Sequence, residues 1–222
     1  MLKRFLDIIL SFIAILILSP LLIPVMVILK FTGEGYIFYK QERIGHHGEP
    51  FNLLKLATMF KNSPNMQGGN ITTKNDPRIL PFGKFLRKYK INELPQIINV
   101  LIGDMSIIGR RPTVSEHYNF YSEDVKKIIS KFKPGLSGVS SIVFRNEEIF
   151  FTGLSPEENK KIYRNKIVPF KSELELWYCE NPSIIVDILL IIITILSVVK
   201  PSSNLHNYFF KDLPKHPLFN PA

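Results

Sequence analysis

Residues 8–29 form an apolar run of about 22 residues without a charge, and this run restricts the fold more than any other part of the chain. A helix of that length crosses the roughly 30 Å hydrocarbon core of a bilayer. Lys3 and Arg4 precede the run and Lys30 follows it. A secretory signal peptide fits poorly, because the run is too long and no small-residue cleavage pattern follows. Pro20, directly after Ser19, and Pro24 interrupt the run. Each removes a backbone donor and crowds the preceding turn, so a kink near the middle is expected. Ser19 is placed to satisfy a carbonyl that the break sets free. With cations at both ends and a basic remainder, the positive-inside rule puts both ends on the cytoplasmic face. The expectation is a re-entrant helix hairpin over residues 1–30, with a one-pass helix as the simpler alternative.

The formal charge of +9 favours an anionic partner: nucleic acid, anionic lipid or a phosphorylated substrate. A single cysteine, Cys179, excludes an intramolecular disulfide framework and a cysteine-based zinc site. No recognition helix or aromatic stacking sheet is evident, so nucleic acid gains no support. Walker and dinucleotide glycine motifs are also absent. His46-His47 lacks the spacing of helical metal ligands.

Beyond the apolar run, the expected fold is α+β and mostly helical: a small cytoplasmic catalytic domain (31–182), a membrane-associated apolar helix (183–200) and an irregular tail (201–222). Short β-type runs include Tyr36-Ile37-Phe38-Tyr39 and the alternating Phe51-Asn52-Leu53-Leu54-Lys55, while residues 60–74 read as a loop. Helical signals begin near Pro81 and resume at Asn92, an acceptable N-cap, with Leu94, Ile97, Ile98 and Leu101 as the apolar face and Gly103 as the stop. Residues 116–131 and 156–178 read as polar-faced helices. Residues 184–199 are apolar apart from Asp187, Thr194 and Ser197, short for a span, and an aspartate is costly in hydrocarbon. An amphipathic helix in the interface, or one packed on the anchor, is expected there.

The chemistry concentrates in residues 90–112, KINELPQIINVLIGDMSIIGRRP. Divalent cations take oxygen ligands and arginine clamps phosphate oxygens bidentately, so Asn92-Glu93, Asp104 and Arg110-Arg111 outline a metal-assisted phosphate site. Neighbours on a helix point about 100° apart, so Asn92 and Glu93 reach a common point only at a helix start, where free N–H groups also favour anions. Plain capping by Asn92 with a solvated Glu93 fits the spacing equally well. Arg110-Arg111 reads either as a diphosphate clamp or as a solvated basic turn. Asp76-Pro77-Arg78 reads as a turn, Lys55 as a strand lysine. Residues 134–138, Pro-Gly-Leu-Ser-Gly, form a glycine turn before a β-type segment that ends at Arg145.

Together these segments resemble the bacterial sugar transferase family, small monotopic polyprenyl-phosphate phosphoglycosyl transferases. The likeness runs from about Lys3 to Lys200. It rests on the apolar run broken at Ser19-Pro20, Gln41-Glu42-Arg43-Ile44-Gly45, residues 51–59, Asn75-Asp76-Pro77-Arg78 and Gly83-Lys84-Phe85-Leu86-Arg87. It continues through residues 92–112, Lys133-Pro134-Gly135-Leu136-Ser137-Gly138 and Asp187. The resemblance implies transfer of a sugar 1-phosphate from a nucleoside diphosphate sugar, with uridine the expected base, to undecaprenyl phosphate. That would be the first membrane step of glycan assembly, at the cytoplasmic face of the bacterial inner membrane. It also implies Mg²⁺ and a re-entrant anchor. By position, Glu93 is the metal-associated acid and Asn92 occupies the place of a nucleophilic aspartate. Lys55, Arg78 and Arg111 fall at cationic positions expected to meet the diphosphate, and Arg145 is counted with them as substrate-binding.

The chain departs from that pattern at Asn92, at Ala57 where lysine or arginine is common, and at Arg110 where proline usually precedes Arg-Pro. The last two read as a compensating loss and gain of a cation. A neutral amide is a poor nucleophile, so the covalent route is closed as written. Direct attack by polyprenyl phosphate is the preferred reading, with Glu93 as nucleophile or an inactive or engineered form as alternatives. The rival function is a catalytically silent, membrane-docked glycan-assembly protein.

Overall fold

The computed structural model describes residues 2–66, 71–73, 76–151, 154–199 and 205–216. It is mostly helical α+β, with a long apolar N-terminal helix and two small sheets. The chain divides into two compact units, residues 1–42, 52–103 and 148–159 in the first, and 43–51, 104–147 and 160–222 in the second.

The first unit is built on helix α1 (Leu2–Phe31), a single assigned helix that contains both Pro20 and Pro24. Pro20 cannot donate to the carbonyl of Leu16, and Ser19 Oγ donates to it instead at 2.9 Å. The serine therefore performs the repair expected from sequence. Most of α1 exposes hydrocarbon, with Ile17 at 70% and Leu16 at 58%. Its last turns are different. Val25 and Leu29 are buried against Leu56 of strand β2 (Pro50–Leu56) and Leu86 of helix α2 (Pro81–Lys88), with Phe82 and Ile91 packed alongside. Full burial of a residue such as Leu86 contributes about 1.5–3 kcal/mol. At the other end, the Arg4 guanidinium donates to the carbonyls of Val100 and Leu101, at 2.6 and 2.8 Å, in helix α3 (Gln96–Ile102). These are C-terminal carbonyls without helical partners, a favourable place for a cation.

Strand β1 (Phe38–Ile44) pairs with β2. Helix α3 joins the same unit through Asn99, whose amide donates to Asn52 O (2.8 Å) and accepts from Leu54 N (2.9 Å). That use of Asn99 changes the expected apolar face of α3. Gln96, Ile97, Asn99 and Val100 are buried, whereas Ile98 is 40% exposed. Gly103 ends the helix in the left-handed region at φ 104°, as its sequence position suggests.

In the second unit, β3 (Ser106–Ile108) and β4 (Gly135–Ser137) pair in parallel, Ser106 opposite Gly135 and Ile108 opposite Ser137. A Cβ on Gly135 or Gly138 would strike the backbone of Gly109, so these glycines serve a backbone crossing. The segment after them is helix α6 (Val139–Val143), where a β-type segment ending at Arg145 was expected. Packing against later helices overrides its β-branched propensity. The helix expected over 116–131 is instead two, α4 (Ser115–Tyr118) and α5 (Glu123–Ile129), because Ser122 starts a new one by accepting the Val125 N–H.

Residues 156–180 are helical throughout, as α7 (Pro156–Ile162), a π segment (Tyr163–Ile167) and α8 (Val168–Glu180). The π turn falls where Pro169 lacks a donor for the regular ladder. Helix α9 (Ile184–Val199) matches the expected apolar segment. It buries Leu190, Ile193 and Ser197 and exposes Ile185, Ile188, Ile192 and Ile195. Asp187 is satisfied by the Tyr178 hydroxyl at 2.7 Å. In the tail, helix α10 (Leu205–Phe209) replaces the irregular chain expected there, and Trp177 packs edge-on against Phe210. The rest of the tail, and part of the 60–74 loop, lie outside the described residues.

Candidate active-site residues

Asn92 does not cap a helix. Lys90, in the left-handed region at φ 58°, turns the chain into a 3-10 turn, Ile91–Glu93, that puts Asn92 inside a helical turn. Glu93 N donates to Lys90 O and Leu94 N to Ile91 O, so backbone groups fill the role assigned to the side chain. Ile91 packs against the cluster around Val25, Leu29, Leu56 and Leu86, which draws the turn onto the end of α1. Asn92 is 4% exposed, and its Oδ1 is buried with no hydrogen-bond partner. A buried amide oxygen without a donor is unfavourable by about 1–3 kcal/mol. Glu93 follows it, half-buried.

Two other candidates lie in the same unit. Lys55, half-buried on β2, donates from Nζ to Gln41 Oε1 at 3.1 Å, so it is not the solvent-facing strand lysine of the simplest reading. Arg78 is 2% exposed and ion-paired with Asp76 at 2.6 Å, with further bonds to the carbonyls of Ser63 and Ile71. Burial works against the Asp76 carboxylate, but the hydrogen bonds from Arg78 outweigh it and hold its pKa below the ordinary value. The Asp76 turn is as expected, with Arg78 N on Asp76 Oδ1, but its arginine points inward and ties the loop around 63–76.

The second unit holds Arg111 and Arg145, both half-buried. Arg110 fits neither sequence reading of it. It is 1% exposed and donates to the carbonyls of Ile129, Ile44 and Gly45, at 3.2, 3.1 and 2.5 Å. It is a structural cation, so it does not replace one missing at Ala57.

Sequence reading missed a buried polar cluster around α8. Glu175 Oε1 accepts from Arg111 N at 3.1 Å and from the Ser140 hydroxyl. Burial raises its pKa, against the opposing pull of these donors and of Arg110 and Lys171. Lys171 Nζ binds both oxygens of Glu147 at 2.8 Å and lies over the Phe144 and Tyr163 rings. The charges of residues 156–178 were expected together on one face of a helix. The available signal was the run Phe170-Lys171, Leu174-Glu175, Tyr178, which sets two charges on an apolar stripe.

A buried amide and a half-buried acid thus lie on a turn packed against a helix long and apolar enough to cross a membrane. The chain belongs to the bacterial sugar transferase family, whose sequence model matches residues 1–201. It is similar to the exopolysaccharide production protein ExoY of Sinorhizobium fredii, 34% identical over 188 residues, covering 77% of this chain and 83% of the relative. The undecaprenyl-phosphate galactose phosphotransferase of Salmonella typhimurium is 37% identical over 161 residues, 66% of this chain and 33% of the relative. The UDP-glucose:undecaprenyl-phosphate glucose-1-phosphate transferase of Escherichia coli is 37% identical over 144 residues, 64% of this chain and 31% of the relative. This chain thus spans about a third of the two longer enzymes and most of ExoY.

Proposed function

We propose that the protein transfers a sugar 1-phosphate from a UDP-sugar to polyprenyl phosphate at the cytoplasmic face of the bacterial inner membrane, opening a glycan assembly. The observation that carries this reading is the Ile91–Glu93 turn, with a buried, unpartnered amide oxygen, packed beside Val25 and Leu29 of the apolar helix. Such a turn meets a soluble donor and a lipid acceptor at one surface. Family membership and the substrates named in the Salmonella and Escherichia coli relatives support the two partners.

The anchor is proposed to be re-entrant, with α9 in the interface. Arg4, near one end of α1, and Val25 and Leu29, near the other, contact the same unit. A straight 30-residue helix is about 45 Å long, more than a bilayer core, and would carry its ends to opposite faces. Both prolines lie between the two attachments. The exposed isoleucines of α9 give it an apolar face suited to lipid.

Glu93 would supply a hard oxygen ligand for Mg²⁺, and the buried Asn92 Oδ1 is a candidate second. Among the described residues no three His, Cys, Asp or Glu side chains cluster as a metal cage. One or two protein oxygens plus substrate phosphates is an ordinary Mg²⁺ environment, so the residues fit. The ion when bound would neutralise phosphate charge. Lys55 and Arg111, from their positions in the family pattern, and Arg145 are assigned to the donor diphosphate, whereas Arg78 ties its own loop.

Asn92 directs the route. A carboxamide has no ionised oxygen to form a phosphosugar ester, so an oxygen of polyprenyl phosphate attacks the β-phosphorus directly. The bond from the β-phosphorus to the oxygen bridging it to the α-phosphorus breaks, and UMP leaves with that electron pair. The cations spread the charge of the transition state. The test supplies labelled donor with and without acceptor to the native protein and to Asn92→Asp. UMP release only with acceptor, and a trapped adduct only in Asn92→Asp, are expected. An adduct on Glu93 of the native chain overturns direct attack, and no turnover with any nucleotide sugar favours the silent assembly protein.

A further inference from the structure

The buried stripe of α8 carries two charges among hydrocarbon. Lys171 and Glu175 are 3% and 2% exposed, one turn apart, between Phe170, Leu174 and Tyr178. A charge is buried at a heavy penalty unless it is well paired. The pairing of Glu175 is unusual in what it selects. Its Oε1 takes the main-chain N–H of Arg111 and the hydroxyl of Ser140 on α6, with buried Arg110 nearby. A carboxylate serving only to neutralise an arginine would bond the guanidinium. This one fixes the Arg111 backbone and uses none of its guanidinium hydrogens in that bond.

We propose that Glu175 is a positioning residue for donor binding. By clamping the Arg111 backbone to α6 and α8, it sets the direction in which the Arg111 side chain leaves the chain, toward the diphosphate of the nucleotide sugar. This rests on Arg111 being a diphosphate ligand, as proposed above. The clamp needs one acceptor oxygen at the right reach and no net charge, since both hydrogen bonds fall on Oε1.

The test is a double-mutant cycle on the full chain in detergent or membrane, read as KM for donor, KM for polyprenyl phosphate and kcat. Glu175→Gln keeps an acceptor and should hold donor KM within about twofold. Glu175→Met fills the space without an acceptor and should raise donor KM about tenfold, with lipid KM unchanged. In an Arg111→Ala background, Glu175→Met should add almost nothing. A purely structural role gives another pattern: Tm falls while the folded enzyme keeps its donor KM. If Glu175→Met does not fold, Glu175→Asp takes its place, because its carboxylate is one methylene short of the clamp. An equal, additive effect of the Glu175 variant in both backgrounds overturns the inference alone. A normal donor KM in Arg111→Ala overturns the Arg111 assignment and this inference with it.

Discussion

Asn92 and Glu93 are adjacent but differently placed, and the contrast predicts how each responds to mutation. Glu93 is half-buried beside an amide oxygen that has no partner. If it holds the metal, Glu93→Gln should lower kcat by at least about a hundredfold with little loss of Tm, measured as UMP release and thermal unfolding. His117 offers a separate titration. Burial lowers its pKa to about 4, and it stacks on Tyr163 at 4.1 Å, facing Glu116, Lys171, Arg43 and Glu147. The folded imidazole stays neutral while the unfolded one protonates near pH 6.5, so the unfolded state binds more protons between those values. Stability from keeping it neutral is complete above pH 6.5 and is lost as pH falls toward 4. His117→Phe keeps the stacking and should flatten that acid-side slope by about 1.4 kcal/mol per pH unit, read from denaturant midpoints across the range.

Among the elements, the parallel pair β3–β4 depends on the crossing of Gly109 with Gly135 and Gly138. Gly138 has extended dihedrals that any residue adopts, so the constraint there is space alone. Gly138→Ala should destabilise the fold by about 1–3 kcal/mol, because backbone rather than a flexible side chain must move. Denaturant unfolding with an unchanged midpoint would contradict it. The same elements show where sequence was sufficient. The long apolar helix, its Ser19 repair, the Gly103 stop and the apolar segment of α9 were legible because each follows from local composition. The α4–α5 break, the helical residues 139–143 and α10 depended on tertiary partners, and period alone does not carry that information. Asn99 and Glu175 were invisible for a related reason: polar residues on apolar stripes make sense only once their backbone partners are known.

For the molecule as a whole, the proposed metal is expected to serve the reaction and not the fold. Among the described residues no acidic or histidine cage needs an ion to fold. Chelation with EDTA should therefore abolish UMP release and Mg²⁺ should restore it, with Tm moving by no more than about 2 °C. Family and reaction class were readable from the ordered motifs. The inward turn of Arg78 and the internal use of Arg110 were not, because a motif gives the position of a cation and not what it touches. Arg78, from the pattern, and Arg110, a departure from it, thus hold the scaffold, which leaves Lys55, Arg111 and Arg145 as the proposed substrate cations.

The π segment at Tyr163–Ile167 has a bearing on that recognition through helical phase. Lys160, upstream, pairs with Glu116 at 2.7 Å, while Lys171 and Glu175, downstream, grip Glu147 and Arg111. A π turn acts as one extra residue in an α-helix, so it offsets the two stretches by about 100° of azimuth. Deleting a single residue there would return the rod to uniform winding and swing one set of grips away from its partners. The bulge is the indexing notch that lets one continuous helix serve both sets of partners at once.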